Sequence, residues 1–389
     1  MSLPRQLFFV LVVIGLIFLL PYLGSLIHNA GVFPPDFFAY PPLTAPTKPG
    51  FNLWIFIAMA VVCFIFVLIY IFPRLFGFRN VVAAPAPAPT GTPRLPLWFW
   101  LGLIMWGGTL FVMWMHYSSP LWLINWADIP LFWGFALVMD GIVFYRTRGK
   151  SIIGQFPTEI LGIGMASISG WLLFEFLNFF VNDNWLYPFG YLLPDNEFVI
   201  YAVIGSSGLL PLAFEWYSLL ATFKKFWIRY TDGPRIISSR IVKWILLIVC
   251  LIALFITGLM PDDMFFVLWL APLVILGIAL ELLGIWTPFT AIRSGNWAPT
   301  LLFALSYFIQ GTLLECWNYF SGTHAGGVLN THNPAYWAYS IGYVDVLHVF
   351  EMPLLGLFGY LPFGIYCLIW WIVFAFLLKI ETNFPKLNP

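Results

Sequence analysis

The chain has 389 residues, of which 61% are hydrophobic and 9% charged, and its mean hydropathy is +0.90. That composition excludes a soluble globular protein, and a formal net charge of zero offers no basic surface to nucleic acid. What remains is an all-α polytopic membrane protein, because backbone groups in hydrocarbon must be satisfied within the chain itself.

The first apolar run is Leu7 to Ile27, preceded only by Arg5. It has no A-x-A-like cleavage site and continues through Pro21, so a retained helix is expected rather than a signal peptide. A proline-rich polar segment follows, then a second run from Leu53 to Phe72, making an N-terminal transmembrane hairpin over 1–72. Residues 73–96 contain VAAPAPAPTGTPRLP and read as a semi-rigid Ala/Pro linker. Eight more spans are expected at about 97–117, 121–145, 160–181, 198–222, 241–259, 264–288, 298–320 and 347–378, for about ten transmembrane helices in all. The last is too long for one straight helix, and Pro353 and Pro362 should kink or break it.

The second part of the chain copies the first. LLFEFLNFF sets Glu175 and Asn178 at the spacing of Glu315 and Asn318 in LLECWNYF. Trp185, Tyr187, Gly190 and Tyr191 recur as Trp337, Tyr339, Gly342 and Tyr343, and Gly208-Leu-Leu-Pro211 recurs as Gly359-Tyr-Leu-Pro362. Gly134 to Ile142 aligns with Gly277 to Ile285. Two parallel four-helix repeats are therefore expected, 97–230 and 231–389, related by a pseudo-two-fold axis along the membrane normal. With a cytoplasmic N-terminus, all of the seventeen Lys and Arg except Lys48 fall inside, as the positive-inside rule requires, and the C-terminus is cytoplasmic too.

An ionisable group in a membrane helix is costly unless it is paired or faces a cavity. Glu175, Asn178, Glu315 and Asn318 lie in outer halves of their spans, each Glu and Asn on one face at i, i+3; His348 and Glu351 repeat that spacing in the last span. If the pseudo-two-fold turns both faces inward, these six residues line an outward-facing polar pocket roofed by the Trp-x-Tyr segments. The acids would serve as proton donor and base, with His348 and Glu351 as a second couple. Glu and Asn at such positions can equally lock helices together. Asp140, Glu215 and Glu281 lie toward the inner side and are expected to pair with cytoplasmic Lys or Arg or a neighbouring Tyr.

The four cysteines lack any disulfide or metal spacing, and His324 and His332 share a polar loop without standard ligand spacing, so no metal site is expected. His116 and His348 admit one b-haem between two helices. There is no nucleotide, HExxH or hydrolase motif, and the cofactor is unknown.

The set E-x-x-N, W-x-Y and FEMPLLG-x-x-GY-x-PF resembles an uncharacterised family of bacterial polytopic membrane proteins over about 97–378. That resemblance implies this fold and a bacterial inner membrane, and no activity. Pro194-Asp-Asn-Glu-Phe198 and Pro261-Asp-Asp-Met-Phe-Phe266 are faintly similar to the membrane-embedded lycopene cyclases, which adds weight to an apolar substrate. The leading reading is an enzyme or carrier for a lipid, isoprenoid or quinone, with membrane lipids and a hydrophobic small molecule as partners. The alternatives are an accessory subunit docked to other membrane subunits, and a small-solute transporter.

Overall fold

The computed structural model describes residues 2–81 and 94–383. Its long helices are α1 (Leu3–His28), α2 (Leu53–Ile71), α3 (Leu97–Trp114), α4 (Asp128–Thr147), α5 (Pro157–Asn178), α6 (Asp195–Ala221, with a 3-10 turn at Ser206–Gly208), α7 (Arg240–Leu259), α8 (Val267–Leu282), α9 (Ala298–Phe320) and α10 (Tyr360–Leu378). Among the described residues nine helices are long and apolar enough to cross a membrane, and α8, with 16 residues, is a shorter apolar helix. Among the described residues the only sheet consists of two-stranded pairs of two to four residues, which fits an all-α, multi-pass membrane protein. The Ala/Pro linker expected over 73–96 lies mostly at 82–93, outside the described residues.

Successive helices run in alternating directions, which side-chain bonds between their ends make plain. At one end His28 donates to Leu259 O at 3.0 Å, Lys48 to Val181 O at 2.8 Å, and Asn182 to Asp262 at 3.3 Å. At the other, Arg229 donates to Tyr70 O at 2.7 Å, Lys243 meets Glu281 at 2.7 Å, and Glu159 accepts from the backbone of Asn383 at 2.9 Å. The first end carries the acids and histidines of the loops, the second the arginines and lysines; they are called the acidic and basic ends below.

Close helix crossings rest on glycine. Gly24 of α1 and Gly258 of α7 each face backbone of the other helix, where an added Cβ would collide with a carbonyl. Gly102 of α3 and Gly134 of α4 do the same. Small residues let helices approach closely, which matters in lipid because no hydrophobic effect drives them together. From these seams the bundle extends regularly: α3 packs on α4, α4 on α6 and α5 on α6, while α7 packs on α8, α8 on α10 and α9 on α10. Across the bundle α5 meets α10, and α9 meets α6. Helix α2 stands apart, with only Cys63 buried along its length.

Three expected spans are corrected. Residues 121–145 divide into a short helix, Leu121–Asn125, and α4. The span at 264–288 shrinks to α8, because Gly284 takes a left-handed φ of 78° and Thr287 caps a separate short helix, Pro288–Ile292. The long run at 347–378 is helical only from Tyr360. Leu347 and Phe350 have φ of 57° and 61°, and β5 (His348–Val349) pairs with β6 (Met352–Pro353) as a small hairpin. Pro362 sits in the first turn of α10, where its missing N–H costs nothing.

Candidate functional site

Glu175 and Glu315 each sit near the acidic end of a buried helix and point at a ring of aromatic donors. Glu175 accepts from Tyr187 Oη at 2.6 Å, Trp171 Nε1 at 2.9 Å and Trp185 Nε1 at 3.3 Å. Glu315 accepts from Tyr360 Oη at 2.5 Å, Tyr339 Oη at 2.7 Å and Trp337 Nε1 at 3.3 Å. Three residues on, each Asn holds the backbone of the local Trp. Asn318 Nδ2 donates to Trp337 O at 2.7 Å while Trp337 N donates to Asn318 Oδ1 at 3.1 Å; Asn178 makes the same pair with Trp185 at 2.9 and 3.5 Å. The i, i+3 spacing is what allows this, since Glu and Asn leave the helix on one face and meet Trp-x-Tyr as a unit.

The two sets touch through the backbone. β1 (Trp185–Leu186) pairs antiparallel with β4 (Ala338–Tyr339), Trp185 opposite Tyr339 and Leu186 opposite Ala338. The two Trp-x-Tyr segments thus lie side by side.

One difference between the sets decides their exposure. Counting from the acids, Trp171 of α5 corresponds to Gly311 of α9, and by the Gly-x-Leu-Pro match Leu209 corresponds to Tyr360. Glu315 can take a third donor from α10 because Gly311 leaves room for the Tyr360 ring, which any Cβ at 311 would strike. Glu175 takes its third donor from its own helix, and Leu209 leaves that side without a hydroxyl. As a result Glu315 is completely closed off, whereas Glu175 lines a cavity.

That cavity measures about 770 Å3 and runs between α2 and the rest of the bundle. It reaches from Tyr40, Asn184 and Tyr187 at the acidic end to Phe78 and Trp297 at the basic end, and apolar side chains of α2, α6, α8, α9 and α10 make most of its wall. Its carboxyl groups, with Tyr40, Asn184, Tyr187 and Tyr201, gather at the acidic end around Glu175 and Asp128, whereas the hydroxyls of Tyr70 and Thr300 at the basic end are tied to the carbonyls of Leu301 and Pro288. Trp171, Trp185 and Trp269 form a connected wall beside Glu175, with centroid separations of 6.2 and 5.6 Å.

Lys48 closes the acidic end. Its Nζ donates to Val181 O, Asn182 O at 2.6 Å and Asn184 Oδ1 at 3.3 Å, tying the proline-rich segment to the C-terminal carbonyls beyond α5, where a cation is favoured. Burial lowers the Lys48 amine to about 8 against the opposing pull of Asp262 and Asp183. Burial also raises Asp183 to about 7, with Lys48 holding it back.

His348 and Glu351 are not a couple on a helix face, since they occupy the β5–β6 hairpin. His348 Nε2 bonds Asp345 at 2.9 Å on the exposed surface, and Glu351 accepts from Tyr336 Oη and from His324 Nε2 at 3.1 Å. The local cause is the left-handed Leu347 and Phe350, which break the helical register between them. His116 bonds Gly322 O at 3.2 Å and His348 its own Asp345, so each of the two haem candidates has a separate partner. Among the inner acids, Glu281 pairs with Lys243 and, at 3.2 Å, with Arg293, as expected. Asp140 instead accepts from Trp98 Nε1, Ser151 Oγ and Ile153 N at 2.8–2.9 Å, and Glu215 lies directly against Asp140, the two buried carboxyls facing each other. Residues missed in the sequence include Trp171, readable as i−4 to Glu175 on its helix face, Tyr360, which stands inside the repeated Gly-x-Leu-Pro motif, and Tyr40, Tyr201, Asp128 and Asn184, which no local pattern marks.

Comparison with protein-family models, curated proteins and solved structures finds no match for this chain.

Proposed function

We propose that this chain is a multi-pass membrane protein that takes a long-chain amphiphile, of the lipid, isoprenoid or quinone class, into the cavity beside α2, with Glu175 as its proton-exchanging group. The cavity carries this reading: about 770 Å3 of largely apolar space, elongated along the helices, with its carboxyl groups at one end only. A chain would lie along α2 and a head would reach Glu175. A carboxyl held by Trp171, Trp185 and Tyr187 is positioned rather than free, as an acid or base must be. Glu315 and the two Asn serve this site by fixing the Trp-x-Tyr roof.

In this reading the two four-helix units, 97–230 and 231–389, are repeats. Matching neighbours in each half, the reciprocal α5–α10 and α9–α6 contacts, and a β1–β4 register symmetric about Leu186 and Ala338 all support it. The basic end faces the cytoplasm by the positive-inside rule, so head and Glu175 lie toward the outer leaflet. The bacterial inner membrane follows from the family resemblance.

The test is lipid mass spectrometry of the purified full chain and of Glu175→Gln, which keeps shape but loses the titratable group. A stoichiometric amphiphile on the parent chain, unchanged in the processed or exchanged form on the variant, is expected. Co-purification of other membrane proteins with an empty cavity would favour the accessory-subunit reading instead.

A further inference from the structure

The acidic end of the cavity has an unusual set of polar atoms. Among the described residues no Lys, Arg or His lines the cavity, while two carboxyl groups, Asp128 and Glu175, do. Four buried donors on the lining have no partner in full hydrogen-bond geometry: Tyr40 Oη, Tyr201 Oη and Asn184 Nδ2 at the acidic end, and Tyr307 Oη on α9. The Tyr201 hydroxyl interacts with Asp128 and the Tyr40 hydroxyl with Tyr187, but both contacts fall short of full hydrogen-bond geometry, so each hydroxyl is free to turn to a better acceptor. Asn184 has its Oδ1 committed to Lys48, which orients the amide and leaves Nδ2 open. Buried polar groups in native proteins are nearly always paired, so the three at the acidic end mark a place where something else accepts.

Resting on the reading of the cavity as an amphiphile site, we infer that the head it takes is uncharged, a hydroxyl or carbonyl oxygen on a long apolar chain. Such an oxygen can accept from Tyr40, Tyr201 and Asn184, and a head hydroxyl can donate to Glu175 or Asp128. A phosphate head has no counter-ion here. The nearest cation, Lys48, is engaged by the carbonyls of Val181 and Asn182, and two carboxyls in a low-dielectric wall repel a third negative group. The cavity should therefore admit a prenyl alcohol or a quinol and turn away the prenyl phosphate of the same chain length.

The experiment measures retention of radiolabelled geranylgeraniol by the purified full chain in detergent, with decylubiquinol, geranylgeranyl phosphate and a headless hydrocarbon of equal length as competitors. The alcohol and the quinol are expected to compete at similar concentrations, and the phosphate to need at least about tenfold more, a difference of the size that one unpaired charged group brings. Tyr201→Phe should weaken the alcohol about fivefold, the effect of one lost hydrogen bond, without changing competition by the hydrocarbon. The double change Asp128→Asn with Glu175→Gln should narrow the gap between alcohol and phosphate, which a purely structural role for those acids would not do. Equal or tighter binding of the phosphate overturns the neutral head while leaving the cavity reading in place. Failure to retain geranylgeraniol, with no competition by any of the probes, overturns both.

Discussion

Replacing Glu315 separates a sealed acid from one that opens on a cavity. In Glu315→Leu the hydroxyls of Tyr339 and Tyr360 and the indole of Trp337 lose their common acceptor while remaining buried. Each orphaned donor costs about 1–3 kcal/mol. Tyr339 and Tyr360 stand 3.4 Å apart and can partly satisfy each other, so the sum falls to about 4 kcal/mol, roughly a thousandfold in the unfolding equilibrium. Glu315→Gln keeps one accepting oxygen, and a tyrosine hydroxyl can turn to accept from the amide, for a cost of about 1 kcal/mol. At Glu175 the same Leu substitution leaves Trp171, Trp185 and Tyr187 on the cavity wall, where a ligand or water supplies the missing acceptor. Its cost should be about 2 kcal/mol or less. Denaturant titration of the purified variants, followed by tryptophan emission, gives the ranking. A Glu315→Leu protein within about 1 kcal/mol of the parent, or a Glu175→Leu protein destabilised more than Glu315→Leu, refutes the assignment of sealed and open acids.

At the basic end, Glu281→Ala should cost about 3–5 kcal/mol because it leaves Lys243 buried and unpaired, and adding Lys243→Met should recover most of that loss; a double variant no better than the single would contradict it. Asp183 is raised by burial from the ordinary 3.8 to about 7, so the folded loop holds an extra proton between those values. Its stabilising contribution is full below about pH 4 and lost as pH rises through 7, so the thermal midpoint should fall over that window. Asp183→Asn, which suits the left-handed φ of 52° there, should flatten the fall, and an unchanged slope in that variant would remove Asp183 as its source. Finally, reporters fused after Lys150 or near Arg235 should read cytoplasmic and one near Asn330 external; an external signal at Arg235 inverts the proposed sidedness.

Much of the helical framework was legible in the residues alone. Length and hydropathy of a span are local properties, so Leu97–Trp114, Arg240–Leu259 and Ala298–Phe320 fall within a few residues of their expected limits. The pairing of Glu with Asn at i, i+3 was equally plain, because one helical face is a matter of spacing. Spans failed where backbone geometry outweighed hydropathy. Leu347, Phe350 and Pro353 are apolar enough for a helix, but two left-handed residues and a proline turned them into a hairpin, carrying His348 and Glu351 away from the acids of the bundle. Which acid is open was decided only in three dimensions. Gly311 makes room for Tyr360 to seal Glu315, Trp171 and Leu209 do the reverse for Glu175, and the cavity exists because α2 stands off from a bundle whose other helices close on one another. Those relations join residues far apart in the chain, and a periodicity of 3.6 carries no information about them.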